Sequence, residues 1–218
     1  MKRLLVGLTI GITTFFMGRA VGFYYVQGPL TQNEGISHCT IWWDPGAEPE
    51  IVYAIDPVEY REELKEVYNA ALEDELLGKR YLVVSERTSP GDWFAGVDPG
   101  NQMSGLEKET FDSYRAGNEQ ITFIDDLIRD YPAVHLLKDN DSQAIFKENR
   151  NGWMEFAKRF PSAKGFIQFS AVGFNLGHTQ ALVSVEHQCG GVCGDGKFML
   201  LRKTNGVWRI QRKVVTWE

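Results

Sequence analysis

The reactive side chains of this sequence gather in one short run near its C-terminus, EHQCGGVCGDG, which holds His187, Cys189, Cys193 and Asp195. Two cysteines separated by Gly-Gly-Val can close a small disulfide in an oxidising compartment, and that is the expected state. The same run has a metal-ligand reading, His-x-Cys-x3-Cys from His187, Cys189 and Cys193, with a fourth ligand to come from His178, Asp195 or Cys39. With three cysteines in the chain, free thiols or a pairing with Cys39 are further alternatives. Redox catalysis fits less well. The redox motif has two intervening residues and opens a helix, whereas here three intervene and Gly-Asp-Gly follows.

A nucleophilic site would need Ser170, His178 or His187, and an acid such as Glu186 or Asp195. QFSAV around Ser170 continues a strand and lacks the sharp strand-to-helix turn that exposes a nucleophile, so a locally hydrogen-bonded hydroxyl is expected. Asp125-Asp126 and Asp139 to Asp141 lack the oxygen-ligand spacing of a calcium loop. CGGVCGDG is not followed by Lys-Ser/Thr or a helix, so it is not a phosphate loop. The aromatics Trp42, Trp43, Trp93 and Phe94 sit in poorly patterned segments. They read either as lids over the core edges or as a contact surface. No catalytic residue, metal or cofactor is assigned.

The elements that must position these groups are strongest in the last third, Gly165 to Trp217. Asn205-Gly206 between β-rich runs is a hairpin turn. Ala181, Val183 and Val185 alternate with Ser184 and Glu186, and Trp208 and Ile210 with Arg209 and Gln211. That pattern predicts a four-stranded antiparallel meander with one packed face and one wet face. The first of its strands is apolar on both sides, as in a central or helix-covered strand.

Upstream, Asp56, Pro57 and Glu59 open a helix whose apolar stripe runs through Leu64, Val67, Tyr68, Ala71 and Leu72 to Leu76, with Gly78 as the stop. Its acidic residues, Glu63 and Glu75 among them, read as a solvated face. Arg80 to Thr88 is a strand of parallel or central type, and Ser89 to Gly105 is a long, turn-rich connection. Ser104 and Glu107 form a capping box for a helix that Gly117 closes. Further helices end at Pro132 and Pro161, with a short strand at Val134 to Leu137 between them. The sum is an α+β domain over 51–218 with helices on one face of the sheet, preceded by a lead-in segment over 21–50.

Length and composition fit one domain with a sizeable core: 218 residues, 43% hydrophobic. The net charge is −6, and the chain is more acidic still once Lys2, Arg3 and Arg19 of the N-terminus are set aside. An acidic surface repels phosphate backbones, so nucleic acid is not an expected partner. Met-Lys-Arg, the apolar run Leu4 to Met17 and Gly18-Arg19-Ala20 form a signal peptide over 1–20. Left uncleaved, residues 4–26 would be long enough to anchor the chain in a membrane. The expected address is therefore periplasmic or secreted.

ETFDSYRAGN with Glu109, Thr110 and Asn118, the Trp153/Phe156/Phe160 helix, Ser170-Ala-Val-Gly-Phe-Asn175 with Gln180-Ala-Leu-Val, and Asn205-Gly-x-Trp208 form a combination. Between about Val67 and Trp217 it resembles a family of exported bacterial proteins of unknown function. The resemblance implies one domain and export, and carries no catalytic residue. Two readings of function follow. One is a non-catalytic exported module that binds a protein or small ligand of the cell envelope. The other is a hydrolase or metal-dependent enzyme with its site near His187, Cys189 and Cys193, which requires His178, His187 and Glu186 or Asp195 to converge.

Overall fold

The computed structural model describes residues 56–89, 99–146 and 151–217, apart from Val192. The N-terminal segment 1–20, the lead-in 21–50, Cys39, Trp42, Trp43, Trp93 and Phe94 lie outside the described residues. The chain divides between Tyr60 and Arg61. The first unit contributes only the opening turn of a helix to this description. There Asp56 Oδ1 accepts the backbone N–H of Val58 at 2.8 Å, the cap expected from Asp-Pro.

The described elements run α1 (Pro57–Leu76), β1 (Leu82–Ser85), α2 (Pro99–Gln102), α3 (Lys108–Gly117), α4 (Asp125–Ile128), β2 (Val134–Leu137), α5 (Asp139–Phe146), α6 (Gly152–Arg159), β3 (Phe166–Phe169), β4 (Gly173–Phe174), β5 (Gln180–Gly190), β6 (Cys193–Thr204) and β7 (Val207–Trp217). The strands form one mixed sheet in the order β2-β1-β3-β5-β6-β7, with β4 also on β5. Strands β2, β1 and β3 are parallel, and β5, β6 and β7 continue antiparallel. The α+β reading stands, but the sheet is not a four-stranded meander. The expected first strand is split by Ser170–Val172, and its free edge carries the parallel pair β1 and β2.

The expectation of a wet face fails at β5, where helices cover both faces of the sheet, and holds at the edge strand β7, where Arg209 and Gln211 are exposed. On one side Val67, Tyr68, Ala71 and Leu72 of α1 and Leu127 and Ile128 of α4 pack on Val84, Ile167, Val183, Val185, Met199 and Leu201. On the other, Tyr114 of α3 meets Leu182, Phe198 and Leu200. Farther along that second face, Ile145 of α5 and Phe156 of α6 meet Val83 and Phe166. The polar residues that alternate with Ala181, Val183 and Val185 are therefore inside: Ser184 is 1% and Glu186 2% exposed. Polar alternation marks a separate face, and it marks a wet one only when nothing covers it.

Helix α1 shows the same effect. Glu63, Val67, Ala71 and Glu75 are all buried and fall on one i,i+4 row, so the helix turns acids and apolar groups toward the sheet together. Glu63 accepts the Trp208 indole N–H at 2.6 Å and pairs with Lys203, while Glu75 faces Lys197 at 2.5 Å and Asp74 takes Lys213 at 2.8 Å. The solvated acidic face is thus corrected for Glu63 and Glu75: Lys203 and Lys197 of β6 and Trp208 of β7, distant in sequence, meet them. Each of Val67, Tyr68 and Leu72 adds about 1.5–3 kcal/mol of burial to this contact.

Both crossovers re-enter the sheet through a Pro-x turn. Val134 N–H reaches Tyr131 O at 3.3 Å around Pro132-Ala133, and Ala163 N–H reaches Phe160 O at 3.1 Å around Pro161-Ser162. Ala133 (φ 63°) and Ser162 (φ 79°) occupy the left-handed position of a type II turn, where glycine is the unstrained choice. At the far end of the sheet, Asn205 (φ 53°) and Gly206 (φ 76°) make the expected hairpin turn.

Candidate ligand-binding site

The residues singled out by chemistry do not converge. Cys189 and Cys193 form a disulfide, with Cα atoms 5.2 Å apart, across the tip of the β5–β6 hairpin. Their sulfurs are bonded to each other and are not thiolate ligands. Among the described residues, no group of three or more His, Cys, Asp or Glu is placed to hold a metal ion. His187 Nδ1 lies 3.3 Å from Asp195 Oδ1, its cross-strand partner. Glu186 is adjacent in the strand and so points to the opposite face. His178 sits beyond the other end of β5, its ring stacked on Phe174 at 4.6 Å; Gln180 to His187 alone spans about 23 Å at ~3.3 Å per residue.

Ser170 behaves as a locally bonded hydroxyl. Its Oγ donates to Ala171 O at 2.8 Å and accepts the Ser184 N–H at 2.8 Å. It belongs to a polar latch that fastens α3 to the sheet. Asn118 accepts the Ala171 N–H at 2.8 Å and donates to Tyr114 O and Ala171 O. Gln180 accepts from Glu107 N–H at 2.7 Å and Thr110 Oγ at 3.0 Å, and donates to Gly105 O at 2.8 Å. Asn175 donates to Glu107 at 2.7 Å and accepts the Thr179 N–H at 2.9 Å. The Tyr114 hydroxyl reaches Ser184 at 3.1 Å.

The expected capping box is corrected here. Helix α3 starts at Lys108, not after Ser104, and the Glu107 carboxylate reaches Asn175 instead of its own helix. Gly173 allows the approach: a Cβ there would lie 2.3–2.5 Å from the backbone N and Cα and the Cβ of Tyr114.

Beside this latch, on the same face, lies a cavity of about 440 Å3. Its floor is the Ser85, Phe166, Gln168 and Gln188 row of β1, β3 and β5, at the carboxyl end of β1. Arg87, Asp139, Ser142, Phe146 and Trp153 make walls. The carboxyl ends of parallel strands are where open sheets with helices on both faces place their ligands.

The wall groups are fixed. Arg87 Nη1 bonds Asp139 Oδ1 at 2.6 Å, Gln143 holds the other Asp139 oxygen at 2.8 Å, and Glu86 accepts the Asp139 N–H at 2.7 Å. Gln168 donates to Arg87 O at 3.2 Å. Trp153 stacks on Phe166 at 5.9 Å and meets Phe146 edge-on at 4.9 Å. Two residues before Gln188 on β5 stands Glu186, whose carboxylate accepts Ser89 Oγ at 2.6 Å. Burial pushes the Glu186 carboxyl above its ordinary range, and hydrogen bonding, from Ser89 first, works the other way.

Arg87, Gln168 and Gln188 escape a search of the sequence for reactive types, since each is ordinary alone, and Asp139 enters that search only as a calcium-loop candidate. The available signal was Gln168, a long polar side chain inside the apolar strand run GFIQFSAV.

A second cavity, of about 420 Å3, lies at the amino ends of β1 and β3, lined by Lys79, Arg80, Ser162, Lys164 and His187 among others. It borders Leu77 and Gly78, immediately after α1, where basic residues complement the helix dipole. Scans of protein-family models, curated proteins and solved structures return no match to this chain.

Proposed function

We propose that the chain is an exported, non-catalytic α+β module that binds a small ligand in the cell envelope, seated between β1, β3, β5 and the α5–α6 pair. The observation that carries this reading is the 440 Å3 cavity, whose aromatic wall and amide floor are held in place before any ligand arrives. Its volume falls in the roughly 300–1,000 Å3 range of small-molecule sites. Among its lining residues the ionisable pair is tied up as a salt bridge. Ser85 and Thr88 spend their hydroxyls on neighbouring backbone and Thr122, which favours recognition over chemistry. Export is supported by the N-terminal sequence and by the disulfide. Thermal unfolding of the full chain against a panel of envelope-abundant small molecules tests the proposal. A ligand should raise the melting temperature of the native sequence but not that of Gln188→Ala. An equal rise in both proteins would rule this cavity out.

A second reading, a hydrolase around His187, rests on the His187–Asp195 contact and on Ser162, which lines the other cavity together with His187. It predicts turnover of an activated ester that His187→Ala abolishes. Turnover equal to that of the variant removes it.

A further inference from the structure

Granting that the cavity beside α5 and α6 is the binding site, we infer that its ligand is a neutral saccharide of one or two rings. Charge comes first. Among the described residues of the lining, Arg87 and Asp139 are the only ionisable groups, and they pair with each other at 2.6 Å. A phosphate or carboxylate would have to compete with Asp139 for the guanidinium, and a cation with Arg87 for the carboxylate. Neither finds an unopposed partner.

Hydrogen-bonding capacity comes second. Arg87 uses one guanidinium nitrogen on Asp139, and Gln168 uses its amide nitrogen on Arg87 O, which leaves the Gln168 carbonyl oxygen and further Arg87 N–H groups to a guest. Gln188 and Ser142, both in the lining, add donors and acceptors. An apolar guest would leave these groups stranded, and each one buried without a partner weakens binding. Hydroxyls each donate and accept, which matches a lining that offers both.

Shape comes third. Phe146, Trp153 and Phe166 form a rigid apolar wall, against which the C–H face of a pyranose can pack while its hydroxyls reach the amides opposite.

The test is ligand-observed NMR and calorimetry on the full chain. The probes are glucose, N-acetylglucosamine and maltose, beside glucuronate, glucose 6-phosphate, glucosamine, amino acids and nucleosides. At least one neutral sugar should bind, and Gln168→Ala and Trp153→Phe should each weaken it about tenfold while leaving the melting temperature nearly unchanged. Charged sugars, amino acids or nucleosides that bind with this sensitivity while neutral sugars do not would overturn the ligand class and leave the cavity as the site. Neutral-sugar binding indifferent to both substitutions, or no binding by any probe, would overturn the class and the cavity together.

Discussion

Two halves of one sheet face treat polar groups differently. Under α3, the named side-chain groups of Asn118, Ser170, Asn175 and Gln180 are taken up by helix, strand or loop partners. Beside α5 and α6, the polar groups Arg87 and Gln168 are pinned through one part and left with capacity through another. The first arrangement is a fastening and the second is a receptacle. The difference teaches that dense polar motifs in a strand run need not be the site. Here the conspicuous VGFN…Q pattern is spent on holding a helix.

The contrast can be broken at several points. Gly173→Ala should cause the largest loss. The new Cβ meets Tyr114 backbone that cannot move aside, so about 3 kcal/mol or failure to fold is expected, read by denaturant unfolding. Breaking the staple with Cys189→Ser and Cys193→Ser should cost about 2 kcal/mol by the short-loop estimate, measured the same way alongside thiol titration of the parent.

Glu186 supplies a pH test. Its folded pKa lies above its unfolded value, so between the two the native state holds the extra proton and stability falls as pH rises through that window. Glu186→Gln should flatten that slope, giving its largest relative gain above the folded pKa. A steeper loss of stability with rising pH in the variant than in the parent would contradict the assignment. The smallest effect should come from the turns: Ala133→Gly and Ser162→Gly each relieve a left-handed residue and should add about 0.5 kcal/mol.

What the sequence made legible was local. Asp56-Pro57 capping, the helix stop before Pro161, the Asn205-Gly206 turn and the Cys189–Cys193 pair each depend on a few neighbouring residues, whereas the helix expected to run to Pro132 ends at Ile128. The parallel pairing of Val84 with Ile167 depends on chain segments far apart, and no local pattern announces it. Burial of Glu63 and Glu75 was illegible for the same reason, because their lysines both arrive from β6. The cavity was hidden by chemistry that is common in each residue alone: glutamines in strands read as a wet face until the helices that cover them are known.

The split between parallel and antiparallel halves also bears on the order of folding. Strands β5, β6 and β7 meet through short hairpins, so their loop-closure cost is low and they can form early. The β1–β3 contact must bridge two crossovers first. Hydrogen exchange should therefore show β1 and β2 amides opening at lower free energy than those of β5 and β6, and equal protection would refute that sequence of events. Because the cavity borrows its floor from both halves, a chain that has folded only its meander has no place to put a ligand. Ligand binding would then report completion of the last folding step.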